Sequence, residues 1–198
     1  MKNSLLKRQV SNLITAIDTK IKGITISDKA TKDQFSVQLG FVSEYIIHAE
    51  HDLYDDGMLQ QKIESLTFSE ESKGTQTLFI LGARILDAIN NGSVLIIDEF
   101  DTSLHPHVTR FLLTLFLSSY NNKGAQLIFS THDISLLEKN LLRRDQIWFT
   151  EKKDNGASEL YCLQDFEGIK EDIPFEKWYM AGKFGALPNL HHIDNVFE

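Results

Sequence analysis

The chain has a single cysteine, Cys162, among 198 residues. One thiol can form no intrachain disulfide, so the fold must rest on a packed core, and a reducing cytoplasm is the compartment it suits. Proline occurs 3 times, and no Pro-, Gly- or Ser-rich linker or internal repeat divides the sequence. No apolar run approaches the ~20 residues that a membrane-spanning helix needs. The segment Met1–Leu6 has neither the apolar stretch nor the small-residue cleavage site of an export signal. Basic residues are also in short supply: 20 Lys and Arg face 28 Asp and Glu, for a net charge of -8. That argues against an extended basic surface and gives no support to a nucleic-acid partner, although a local patch stays compatible with it. The remainder, 42% hydrophobic and 24% charged, describes an ordinary globular chain long enough for one sizeable core.

Against that background, one stretch stands out. In Ser93-Val94-Leu95-Ile96-Ile97-Asp98-Glu99-Phe100-Asp101, four consecutive apolar residues run into two adjacent carboxylates, with a third two residues on. So apolar a run predicts a strand buried on both faces, as in a parallel sheet between helices. Carboxylates at the carboxyl end of such a strand stand where open α/β sheets bind ligands. An Asp-Glu pair suits metal-nucleotide chemistry, one carboxylate holding Mg²⁺ and the next polarising a water.

The elements around this strand alternate. Leu5, Leu6, Val10, Leu13, Ile14 and Ile17 have helical spacing over residues 4 to about 21. Ile24–Ile26 and Phe35–His48 read as strands or a hairpin, and Asp52–Gly57 as a polar loop. A long helix follows Ser69–Gln76, carries Leu78, Phe79, Leu81, Ile85, Leu86 and Ile89, and stops at Asn90-Asn91-Gly92. After the acidic strand come a helix at 106–118, a second apolar strand at 125–130 ending in Thr131-His132-Asp133, and a short helix at 134–142. A third strand spans 146–150. Asp154-Asn155-Gly156 marks a hairpin turn leading into a strand at 159–163, and a last helix lies near 175–181. This order predicts a mostly parallel α/β sheet flanked by helices, with a terminal β-hairpin.

Each junction has a plain reading. An acidic pair can be a polar loop, a histidine after a strand can be a surface residue, and Ser72-x-Gly-x-Gln can be an N-cap with a tight turn. Phe79, Phe129, Trp148 and Phe149 are expected in the core. Arg143-Arg144 is expected as a solvated pair and His191-His192 as part of a solvated tail. His48, His51, Asp52, Asp55 and Asp56 match no firm metal-binding spacing and read as a polar loop.

Taken in order, the junctions resemble the nucleotide-binding heads of ABC and SMC-like ATPases over about residues 66 to 190. Ser72-Lys73-Gly74-Thr75-Gln76 resembles the ABC signature, Val94–Glu99 the Walker B strand, Asp101–Pro106 the D-loop, and Ser130-Thr131-His132-Asp133 the switch-histidine loop. Within this group the chain resembles bacterial AAA-type ATPases related to OLD-family and abortive-infection defence proteins. These share the Gly-Thr-Gln signature and the Arg143–Phe149 strand pattern. The resemblance implies a P-loop NTPase-like C-terminal lobe at 66–190, a remnant of the family's insertion region at 1–65, and a tail at 191–198. It further implies ATP and Mg²⁺ as cofactors, with Asp98 on the metal, Glu99 activating water and His132 at the γ-phosphate. Ser72, Lys73, Gly74, Thr75 and Gln76 would meet the nucleotide of a facing subunit at a helix N-terminus. Asp101 and Ser103 would line the same interface. Lys73 stands where the signature usually has serine.

The phosphate loop, Gly-x-x-x-x-Gly-Lys-Ser/Thr, does not occur. Gly-Lys appears only as Gly182-Lys183, followed by Phe184. The sequence therefore reads as the C-terminal half of a head, and the expectation is weak or absent ATP binding by the chain alone. A truncated frame, a split protein and a repurposed domain are the three explanations. The implied partners are a second copy or a Walker A-bearing half, with a nuclease as a further partner of this family. Two other functions compete with the ATPase reading. One is an Mg²⁺-dependent nuclease using Asp98, Glu99 and Asp101, and the other a non-catalytic module docking on an intact ATPase.

Overall fold

The computed structural model describes residues 4–18, 20–27, 46–55, 58–138, 140–169 and 173–188. The chain divides into two compact units, 1–132 and 133–198.

In the first unit, α1 (Ser4–Ile17) buries Leu6, Val10, Leu13 and Ile14 and leaves Leu5 exposed. The helix stops earlier than its apolar spacing predicts because Asp18 turns the chain. Its carboxylate accepts the Lys20 amide at 3.2 Å and its carbonyl accepts the Ile21 amide at 3.1 Å. Three antiparallel strands follow in the order β1 (Ile21–Ser27), β2 (Ile46–Asp55) and β3 (Met58–Thr67). The predicted strand at 35–41 lies outside the described residues. The predicted loop at 52–57 is corrected over Asp52–Asp55, which forms the end of β2 and pairs with β3 up to Asp55 opposite Met58. Polar residues there are tolerated because an antiparallel strand can turn one face to water.

Helix α2 (Lys73–Asn91) starts at the Ser72 cap and ends at Gly92 in the left-handed conformation, φ 69°. A Cβ at Gly92 would lie 2.7 Å from the Lys123 carbonyl oxygen, so both backbone and space demand glycine. Leu13 of α1 packs directly on Gly82 of α2. Further along, the Gln9 and Asn90 side chains bond each other at 2.7 and 3.4 Å. Strand β4 (Val94–Ile97) and β5 (Gln126–Phe129) pair in parallel, joined through α3 (Pro106–Leu117). Helix α3 has proline in its first turn and buries Thr109, Leu112, Leu113 and Phe116.

The expectation that β4 is buried on both faces does not hold in this structure. Leu95, Ile97, Leu127 and Phe129 are half-buried, whereas Val94, Ile96 and Ile128 are 57%, 73% and 57% exposed. Side chains alternate across a strand, so the pair has one sheltered face and one apolar face open to solvent.

In the second unit, β6 (Trp148–Lys152) and β7 (Ser158–Cys162) form an antiparallel hairpin around Gly156, φ 82°. The third predicted strand thus pairs with its own successor, and among the described residues parallel pairing is confined to β4 and β5. Ile147, Phe149, Leu163, Phe175 and Phe184 form a buried cluster, with Phe175 contributed by α4 (Phe175–Met180). Phe149 stacks on Tyr179 and Phe184 at ring distances of 5.6 and 5.7 Å. Alternation turns its neighbour Trp148 outward, 57% exposed, which corrects the expectation of a core tryptophan. Arg144 is not a solvated partner of Arg143. Its guanidinium gathers the carbonyls of Leu163, Gln164 and Phe166 at 3.5, 3.4 and 2.8 Å, while Arg143 forks onto Asp145 at 2.9 and 2.7 Å.

Candidate functional site

Because β4 and β5 are parallel, their carboxyl ends lie at the same edge of the pair, and both acidic and histidine junctions meet there. The ladder ends at Ile97 opposite Phe129. Beyond it Ser130 keeps the two ends together: its amide donates to the Ile97 carbonyl at 3.1 Å and its carbonyl accepts the Phe100 amide at 2.9 Å. The Ser130 hydroxyl donates to the Asp98 carboxylate and accepts the Glu99 amide at 2.9 Å. Phe100 is fully buried against Phe129, with ring centroids 4.9 Å apart. This apolar anchor fixes the turn from below, while Asp98 and Glu99 stay exposed above it. Glu99 has φ 52°, a left-handed backbone that costs a non-glycine residue about 1–2 kcal/mol. Its Oε2 accepts the Thr102 hydroxyl at 3.1 Å.

Asp101 ties the acidic junction to the histidine junction. Its Oδ1 accepts the Thr131 hydroxyl at 2.6 Å and the His132 amide at 3.2 Å. Partial burial pushes its pKa up, but the Thr131 hydroxyl, backbone amides and the nearby His132 charge outweigh it and hold the carboxyl below the ordinary range. His132 itself is exposed beside this bridge.

The residues 72–76 form a helix start of largely internal bonds. The Ser72 hydroxyl accepts the Thr75 amide at 3.1 Å and shares a 2.8 Å hydrogen bond with the Thr75 hydroxyl. Thr75 also donates to Asp18 at 3.3 Å. Gln76 is buried, and its amide group holds the carbonyls of Ser69 and Glu71 at 3.3 and 2.8 Å. Gln76 therefore positions the loop ahead of the helix. Lys73 is exposed, and the amides of Lys73 and Gly74 lead the helix N-terminus. Gly74 sits against the chain after the acidic strand: a Cβ there would lie 3.1 Å from the Ser103 carbonyl oxygen. Ser103 has φ 61°, the second left-handed residue of the region.

Asp98, Glu99, Asp101 and His132 thus converge through Ser130 and Thr131, and Ser103 links them to Gly74. Asp98, Glu99 and Asp101 do not close on one point, because the Asp101 carboxylate is turned to Thr131 and the His132 amide. Among the described residues no three His, Cys, Asp or Glu side chains are grouped to hold a metal ion. Sequence reasoning placed Ser130 and Thr131 in the histidine loop and Thr102 in the interface-lining loop but gave their hydroxyls no orienting role, although hydroxyl residues close to His132 and Glu99 were a readable signal. Asp18, 57 residues before Thr75, left no local signal.

Residues 32–138 match the family model described as "AAA domain, putative AbiEii toxin, Type IV TA system". This is more than half of the chain and includes every candidate site residue. The chain belongs to this AAA-domain family. No curated protein matches it. The AAA domain is similar to a solved structure from work on the structural biochemistry of ATP-driven dimerization and DNA-stimulated activation of SMC ATPases. That likeness covers 93% of each chain at a TM-score of 0.54 and 13% identity, which establishes the α/β P-loop NTPase fold.

The donor set of this AAA domain fits Mg²⁺ carried by a nucleotide. Mg²⁺ is usually held through one or two carboxylates plus substrate phosphates, not by an all-protein cage. Asp98 offers a hard carboxylate oxygen at an exposed strand end, with its other oxygen engaged by Ser130.

Proposed function

We propose that this AAA domain supplies the water-activating and γ-phosphate side of an ATP-hydrolysing site. The observation that carries the reading is the closure of the β4 end on the β5 end, which gathers Asp98, Glu99, Asp101 and His132 at one edge of a parallel pair. This is where open α/β sheets bind ligands. Glu99 orients the attacking water and accepts its proton; the Thr102 hydroxyl on Oε2 restrains the carboxylate in one rotamer. His132 donates to the γ-phosphate as charge develops there, its backbone held by Asp101. Asp98 is the residue to hold Mg²⁺, which when bound neutralises phosphoryl oxygens.

The remaining phosphate contacts come from a phosphate loop that these 198 residues do not contain. The open face of Val94, Ile96 and Ile128 is the surface on which a lobe carrying that loop packs, covering the second face of the two-stranded sheet. The helix start at Lys73 and Gly74 faces the nucleotide of a second head, as the ATP-driven dimerization of the similar SMC ATPases suggests. A role in an abortive-infection system is the biological setting we infer from the family description.

The test is Mg²⁺-dependent ATP hydrolysis by the chain combined with a lobe that bears a phosphate loop. Glu99→Gln should lower turnover by ~100-fold or more while ATP remains bound. Unchanged turnover would remove Glu99 from the base role, and no hydrolysis by any such assembly would overturn the ATPase reading.

A further inference from the structure

We propose that Ser130 is a positioning residue that sets the conformation of the Asp98–Glu99 turn. Its role in turnover rests on the ATPase reading above, but its effect on the turn does not. Four hydrogen bonds from this one residue bracket the turn. The backbone groups close on Ile97 and Phe100, at 3.1 and 2.9 Å, and the hydroxyl takes the two residues between them. It accepts the Glu99 amide at 2.9 Å and donates to Asp98 Oδ1. A hydroxyl is the smallest side chain able to do both at once.

The need for such a group follows from Glu99. At φ 52° its backbone lies in a region that side chains with a Cβ disfavour. Bonding the amide in that conformation to a fixed acceptor offsets part of the cost and selects the turn over its extended alternatives. The same hydroxyl proton restrains the Asp98 carboxylate by one of its two oxygens, so the other is presented in a fixed direction. Asp98 and Glu99 are adjacent, and on an ordinary strand would point to opposite faces. The left-handed residue breaks that alternation, and Ser130 keeps it broken. Alanine can make neither side-chain bond. Threonine can make both, and the exposure of Ser130 leaves solvent-side room for its extra methyl.

The experiment compares Ser130→Ala and Ser130→Thr in the full chain. The first readout needs neither metal nor nucleotide: hydrogen exchange of the Glu99 amide, followed by nuclear magnetic resonance. Exchange should accelerate about tenfold in the alanine variant and return to the native rate in the threonine variant. The second readout is turnover in an ATP-hydrolysing assembly. The alanine variant should lower kcat about tenfold and raise the Mg²⁺ concentration for half-maximal rate, with KM for ATP unchanged and threonine restoring both. An unchanged Glu99 exchange rate in the alanine variant overturns the proposal, as does failure of a folded threonine variant to restore it. If alanine prevents folding, Ser130→Cys keeps the volume with weak donor and acceptor capacity, and the same exchange comparison decides. Should the native assembly not hydrolyse ATP, the ATPase reading falls while the exchange result still judges Ser130.

Discussion

Asp101 and Thr131 are joined by a 2.6 Å hydrogen bond that spans the gap between the loops leaving β4 and β5. The same carboxylate oxygen accepts the His132 amide. One side chain thereby fixes where the histidine loop begins. The consequence for stability has a definite sign. The Asp101 carboxyl is held below its ordinary pKa, so its contribution is fully present above the unfolded value, about 3.9, and is lost as pH falls through the folded value. Asp101→Asn keeps an acceptor for Thr131 but carries no titrating charge. Melting curves from neutral to acid pH should show the native chain losing more stability than the Asn variant below about pH 4. Parallel curves would place the acid sensitivity elsewhere.

The loop ahead of α2 is tied to the three-stranded sheet by His51 and Glu71, 2.6 Å apart and both largely sheltered. The Glu71 carbonyl also accepts the Gln76 side chain. A pair removed from solvent is costly to break on one side only, by about 1–3 kcal/mol. Glu71→Gln and His51→Ala should each destabilise the chain in denaturant titrations. The double variant should cost less than the two singles together, because each single leaves the other partner unsatisfied. Strict additivity would show that the contact carries no coupling.

Gly92 makes a sharper structural prediction. Its left-handed backbone and the 2.7 Å approach to the Lys123 carbonyl both oppose a side chain. Gly92→Ala should lower stability by about 1–3 kcal/mol. Gly124, also left-handed at φ 70° but with nothing within 4 Å of an added Cβ, should lose less on the same change. Equal losses would mean that backbone strain alone, without the close approach, sets the cost.

What the sequence made legible followed from local physics. The Ser72 cap, the Gly92 stop, Pro106 at a helix start and the Asp154–Gly156 turn are residues whose own chemistry dictates the backbone. The four-residue apolar run found β4, and Thr131-His132-Asp133 found the end of β5. The open face of β4 was not legible, because Val94-Leu95-Ile96-Ile97 reads the same whether one face or both are covered. The pairing of β6 with β7 was legible through the hairpin turn at Asp154–Gly156, but that parallel pairing among the described residues stops at β4 and β5 was not, since partner choice is tertiary. Trp148 failed for a related reason: hydrophobicity says little about which side of a strand alternation delivers to the core. In the candidate site, the charged residues were read and the hydroxyls that orient them were not. Ser130 and Thr131 act through hydroxyl hydrogen bonds to residues about 30 positions earlier, a relation that spacing does not encode.

The exposed face of the parallel pair yields the last prediction. Val94, Ile96 and Ile128 are apolar, adjacent across the β4–β5 register and mostly solvent-accessible. Side chains this exposed contribute little to the stability of the chain that carries them, so Ile96→Lys and Ile128→Lys should change its melting behaviour by less than about 1 kcal/mol. They should also reduce self-association at high concentration, since a charge on an open sheet face opposes edge and face pairing. The proposed assembly sets a second, opposite demand. If a phosphate-loop lobe packs on this face, burying a lysine there carries a desolvation cost, and the same substitutions should weaken its binding and Mg²⁺-dependent ATP hydrolysis by tenfold or more, on the order of 1.4 kcal/mol. ATP binding by the chain alone, which the proposal expects to be weak for want of a phosphate loop, should not change. Undiminished assembly by Ile96→Lys and Ile128→Lys would move the docking surface off this face. Tight Mg²⁺-dependent ATP binding by the native chain alone would remove the need for a partner lobe.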